Sequence, residues 1–208
     1  MTKVSEVTGK STMRTQTHLA LHCQAQHGAS LIMVMLILVV VSLLGVGSAQ
    51  IALMSERGAR NDRDQQVAWQ AAEAALNDAD FDMFSTTGTR RTIFDGKTQS
   101  AFSSGCGTAG DSIGLCALNL TGKPAWLVAD YLNVSSSAPT TKFGKYTGRN
   151  FAAGGVGVQP ALAPRYVIEM VPDPIGDKSD PTFLYRVTAM GFGPRTDIQA
   201  VLQMIYRI

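Results

Sequence analysis

Histidine, cysteine and net charge are all scarce in this 208-residue chain, and their positions exclude more than their numbers do. The three histidines, His18, His22 and His27, all stand before Ala29, so a chain that lost its first 28 residues would carry no imidazole. Ser-His-Asp and Cys-His nucleophile pairs and His-ligated zinc are then excluded, because each of those chemistries needs the ring nitrogen. The net charge of +2 arises in the same stretch, where Lys3, Lys10 and Arg14 outweigh Glu6; the remainder balances. No nucleic-acid partner is expected, since affinity for a phosphate backbone depends on an excess of Lys and Arg. Cys23 also falls there, which leaves Cys106 and Cys116 in "GCGTAGDSIGLC". An even pair in a Gly-rich stretch suits a disulfide in an oxidising compartment such as a periplasm, the alternative being two free thiols in a cytosolic loop.

Charge is also missing from Ala29 to Ser55, and here the absence is informative in itself. At 1.5 Å per residue the apolar part, Ala29 to Ala49, makes roughly 30 Å of helix, the hydrocarbon thickness of a bilayer. A cleavable secretory signal is the competing reading, with Gly47 and Ala49 in "GSAQ" as small residues at a cleavage site, but its apolar core is about 7–15 residues and this run is longer. Beyond it, Glu56 to Phe84 contains no proline and is rich in Ala, Gln, Glu and Arg, all good helix formers. Trp69, Ala72, Leu76, Ala79 and Met83 follow one another at intervals of 3, 4, 3 and 4 residues, one stripe of a helix and the surface on which a domain would sit. Asp78 and Asp82 form a like-charged i,i+4 pair expected on a solvated face. A continuous helix from about Ala29 to Phe84 would be roughly 80 Å long, with Gly45, Gly47 and Gly58 as its weakest points.

Residues 85–160 are rich in Gly, Ser, Thr and Asn and read as a loop-rich insert, within which Pro124–Leu132 is the best candidate for an ordered piece. After it, Arg165–Val171, Thr182–Met190 and Ile198–Ile208 are β-branched and aromatic and are separated by breakers such as "PDPIGDKSDP" and "GFGPRTD". Consecutive strands with short links make an antiparallel meander over 161–208, whose apolar face the Trp69 stripe would cover: an α+β architecture. The Gly105–Gly110 segment fits Gly-x-Gly-x-x-Gly but lacks the strand–turn–helix context of a dinucleotide site. Gly154–Pro160 reads as a loop. Asp173, Asp177 and Asp180 could supply oxygen ligands to calcium but not at the spacing of the twelve-residue loop. Asn119 and Asn133 sit in glycosylation-type sequons by pattern alone. No catalytic residues, metal ligands or cofactor-binding residues stand out, so an enzyme is the least favoured class.

The polar leader ending in Gly28, the uncharged helix from Ala29, "QAAEAALNDAD" (Gln70–Asp80) and the closing "YRVTAMGFG…VLQMIYRI" together resemble the PilX-type minor pilins of type IV pili. The resemblance covers roughly residues 27–82 and 165–208. It implies a pilin-like fold divided into a leader (1–28), a membrane and fibre-core half-helix (29–52), an amphipathic half-helix (53–84), the insert (85–160) and the sheet (161–208). It implies that a prepilin peptidase cuts after Gly28 and methylates Ala29, and that the apolar helix serves first as an inner-membrane anchor and then within a fibre. The implied partners are other minor pilins, the major pilin, a large tip adhesin of the PilY family and the inner-membrane assembly machinery; no cofactor is implied. Major pilins usually carry glutamate at the fifth mature position, where this chain has Met33. A similar absence in the K-type pseudopilin of type II secretion suggests a place at or near a fibre tip. A bitopic membrane protein with a periplasmic binding domain and a secretion pseudopilin are the competing readings.

Overall fold

The computed structural model describes residues 29–86, 88–155, 157–177 and 179–207. The leader, including Gly28, lies outside them. The chain divides into two units, Met1–Ala52 and Leu53–Ile208. One helix, α1 (Ala29–Phe84), runs through the boundary, unbroken at Gly45, Gly47 and Gly58.

From residue 30 to 49 α1 presents only apolar or small side chains, and its large ones are exposed all round, from Leu31 at 66% to Leu44 at 66%. A helix that is apolar on every face suits hydrocarbon and not a half-buried position on a domain. Two of its serines fit the same environment: Ser42 Oγ donates to the Leu38 carbonyl at 2.7 Å and Ser48 Oγ to the Leu44 carbonyl at 2.8 Å. Neither hydroxyl is left without a partner where water is missing.

In the second unit the rest of α1 lies on a five-stranded sheet. The strands are β1 (Leu115–Cys116), β2 (Thr141–Lys142), β3 (Arg165–Pro172), β4 (Phe183–Phe192) and β5 (Gln199–Tyr206). Three of them form the expected meander: β3 pairs antiparallel with β4, and β4 with β5. The insert supplies the other two, so the sheet is mixed and not purely antiparallel. Leu115 pairs in parallel with Ile168, and Thr141 pairs antiparallel with Tyr166. A parallel neighbour needs a long connection, and the residues between β1 and β3 provide it. A short helix, α2 (Ala125–Val128), settles the form of the "PAWLV" segment.

Strand alternation sorts the core. Tyr166, Ile168, Tyr185, Val187 and Ala189 face α1, where they meet Ala75, Leu76, Ala79 and Met83. Val167 and Phe192 point to the opposite face and pack with the two cysteines, Ala125 and Tyr131. The helix seam is made of alanine because the sheet approaches it at backbone distance. A Cβ on Gly191 would overlap the Ala68 carbonyl and the Ala72 amide, and one on Gly193 would come within 2.8 Å of the Asp64 carbonyl.

That close approach corrects one residue of the expected stripe. Ala72, Leu76, Ala79 and Met83 are buried, but Trp69 is 49% exposed and donates its indole N–H to Glu73 at 2.8 Å. Where the helix crosses Gly191, beside Ala68 and Ala72, the seam has no room for an indole, whereas further along it takes in Leu76 and Met83. The buried row starts instead at Ala68, one residue and about 100° round the helix from Trp69.

Candidate functional site

The second correction concerns charge. Asp78 and Asp82 do not face solvent; both are fully buried, as is Arg90. Buried charges persist only when paired and hydrogen-bonded, and each carboxylate here takes hold of a different part of the insert.

Asp82 accepts Arg90 Nε at 3.1 Å, Arg90 Nη2 on its other oxygen, and the Tyr166 hydroxyl at 2.9 Å. Arg90 reaches on to donate to the carbonyls of Asp111 (3.1 Å) and Ile113 (2.8 Å), and its guanidinium lies 3.6 Å from the centre of the Tyr146 ring. Hydrogen bonding and the neighbouring Asp82 charge raise the Arg90 pKa against the opposing cost of its burial. Burial drives the Tyr166 hydroxyl well above its ordinary value, so it serves as a donor to Asp82. This one side chain therefore ties α1 to the disulfide loop.

Asp78 holds a second loop. It accepts the Gly144 amide at 2.7 Å and the Thr147 hydroxyl at 2.5 Å, with Arg149 Nη1 3.7 Å away. Gly144 adopts φ +77, and a Cβ there would overlap the Arg149 carbonyl, so only glycine suits this turn. Burial pushes the Asp78 carboxyl above the usual carboxylate range, against the hydrogen bonds from Thr147 and Gly144 and the Arg149 charge.

On the opposite face of the sheet a third buried acid plays the same part. Glu169 accepts the Ala125 amide at the start of α2 (3.0 Å) and Arg186 Nε from the paired strand (2.9 Å). Cys106 and Cys116 form the disulfide of the fold, both buried against this face. Cys106 takes φ +70, a left-handed conformation that costs a non-glycine residue energy, and the disulfide and the Ser103 carbonyl hold it there.

The remaining sequence candidates have local duties. Asp173 accepts Arg207 and the Ile175 amide, Asp177 accepts Ser179, and Asp180 accepts Lys97 at 2.7 Å. Each carboxylate thus turns to its own partner, and among the described residues no group of three or more His, Cys, Asp or Glu converges on one point. Asn119 and Asn133 close turns onto the Thr121 and Ser135 amides. The Gly105–Gly110 segment opens the disulfide loop, with β1 after it and, among the described residues, no strand before it. Ala29 is the first residue of α1, and Met33, four residues on, is 66% exposed.

The buried acids were within reach of sequence reasoning. Ala71, Ala75, Asp78 and Asp82 follow one another at intervals of 4, 3 and 4, the period of the apolar row itself.

Comparison with known families is consistent with this architecture. The PilX N-terminal model matches residues 27–77, and the model described as type IV pilus assembly protein PilX C-term matches residues 56–208. No curated protein and no solved structure matches the chain.

Proposed function

Because the chain belongs to the PilX family of type IV pilus assembly proteins, we propose that it is a non-enzymatic minor pilin that helps start fibre assembly at or near the tip. The observation that carries this is α1. One helix combines a half that is apolar on every face with a half whose alanine row packs on a folded domain. Such a subunit can wait in a membrane by the first half and later pack that half among other helices, while the second half keeps its domain attached.

In this reading a prepilin peptidase cleaves between Gly28 and Ala29 and methylates Ala29, the domain faces the periplasm before assembly, and the subunit then joins other minor pilins, the major pilin and a large tip adhesin of the PilY type. The absent acid at Met33 supports the tip position. A carboxylate there would neutralise the N-terminal amine of a neighbouring subunit, an ion pair with high value in an apolar medium. A subunit without it makes one fewer such link and is best placed where the chain of links begins.

Intact mass and N-terminal sequence from cells with and without the peptidase test the core of the proposal. A chain starting at N-methylated Ala29 only when the enzyme is present is the expected result; an uncut chain, or one starting at Gln50, refutes it. Immunogold labelling of sheared pili tests the position: label confined to one end is expected, and label along the shaft removes the tip assignment.

A further inference from the structure

Where the insert meets β3, three cations gather, and none of them forms an ion pair with a carboxylate among the described residues. Lys142 on β2 is the register partner of Arg165 on β3, so two cations face each other directly across paired strands, an arrangement that costs stability when left uncompensated. Lys145 follows one turn later, its amide bonded to the Lys142 carbonyl at 3.1 Å. The three line one cavity of about 150 Å³ together with the hydroxyl-bearing Ser135, Ser136 and Thr140. Lys142 and Arg165 also line a second cavity of about 340 Å³, which shares Val134 with the first as well.

Arg165 is only 5% exposed, yet no carboxylate of the described residues pairs with it, with Lys142 or with Lys145. Its Nε and one terminal nitrogen are spent on Thr140, at 2.6 and 2.7 Å. Asp130 is the acid whose field reaches Arg165, but its carboxylate is turned to the Leu132 amide at 2.9 Å. The other buried cation in this unit, Arg90, has a full carboxylate partner, which makes Arg165 the exception. The site is also held in place: β2 hydrogen-bonds to β3, and the loop after it is fixed to α1 through Asp78.

We propose that the cavity walled by Lys142, Lys145 and Arg165 is a docking site for an acidic loop of a neighbouring protein subunit, one of whose Asp or Glu carboxylates enters between the three cations. A duplex nucleic acid would need a track of cations along many phosphates, and these three line a single small cavity. The inference rests on the reading that this chain works among other subunits, and it names the chemistry of one contact.

The test uses the full chain in detergent micelles and fluorescein-labelled hexaglutamate as the probe, with hexaglutamine as control. Hexaglutamate should bind, hexaglutamine should not, and the Lys142→Glu/Lys145→Glu double variant should weaken binding at least about tenfold with a melting temperature no lower than that of wild type, since it removes the facing pair of cations. Lys142→Arg/Lys145→Arg should retain it. Arg165 is left intact, because it is buried and holds Thr140. Equal binding of both peptides, or no loss in the folded double variant, overturns the proposal. So does inorganic phosphate or duplex DNA competing through the same lysines at concentrations no higher than the peptide. In cells, a double variant that is cleaved at Ala29 and as fully piliated as wild type, in a background where deletion abolishes pili, sinks the docking site and leaves the pilin reading standing.

Discussion

Replacing Arg90 by methionine keeps most of the side-chain volume but leaves the Asp82 carboxylate buried without its cation. Removing one partner of a buried pair costs about 3–5 kcal/mol. Part of the surroundings would adapt: Asp82 keeps the Tyr166 hydroxyl, and the Ile113 carbonyl keeps the Thr141 hydroxyl at 2.9 Å. The Asp111 carbonyl, by contrast, loses the Arg90 donor, a further change of about 1 kcal/mol. Taking about 4 kcal/mol as the whole, the melting temperature of a domain this size should fall by roughly 8–16 °C. Asp82→Leu should cost a similar amount, since it strands the guanidinium. The double variant should lose much less than the two singles together, because no uncompensated charge remains. Arg90→Lys should fall between, keeping the charge but losing the forked contact and the stack on Tyr146. Calorimetry or near-ultraviolet circular dichroism of all four proteins in one detergent completes the cycle. A coupling energy below about 0.5 kcal/mol, with the two losses simply adding, would refute the account of these residues as one buried unit.

Four other outcomes follow from the same structure. At Asp78 the native state holds its proton more tightly than the unfolded chain does, so this stabilising term is complete below pH 3.8 and is lost as pH rises through the higher native value; urea melts between pH 4 and 7 should show that slope in wild type and not in Asp78→Asn. Asp78→Ala should cost about 1–3 kcal/mol more than Asp78→Asn, since it frees the Gly144 amide and the Thr147 hydroxyl together. The Tyr131 hydroxyl is buried with no hydrogen-bond partner among the described residues, so Tyr131→Phe should raise stability by about 1 kcal/mol in chemical denaturation, and a loss of that size would show that the hydroxyl has a native partner after all. Converting both Cys106 and Cys116 to alanine opens a ten-residue loop and should lower stability by about 2.7 kcal/mol in the chain-entropy account, read from the denaturation midpoint.

Some of these features were legible along the chain because they depend on neighbours in sequence. An uncharged run is a local property, and so are the helical period of the alanine row and the alternation in the last strand, where Ala200 and Leu202 face the helix while Val201 and Gln203 do not. The two cysteines ten residues apart in a Gly-rich segment also announced their pairing. The insert was harder to read. Strands of two residues, such as Leu115–Cys116 and Thr141–Lys142, carry no period, and their pairing with β3 is decided by residues far along the chain.

The sequence by itself determined that an apolar helix continues into an amphipathic one and that a small sheet follows, since spacing and composition dictate which faces can leave water. Tertiary structure alone decided three things. The seam excludes Trp69 because the sheet backbone comes too near for anything larger than alanine. The donors that let Asp78 and Asp82 leave water, Arg90, Gly144 and Thr147, arrive from other segments, although the spacing of the two acids along α1 already puts them on the buried row. Lys142 meets Arg165 only when two strands 23 residues apart in the chain come into register. Desolvation and charge pairing act through space, and no stretch of sequence shows in advance who the partner will be.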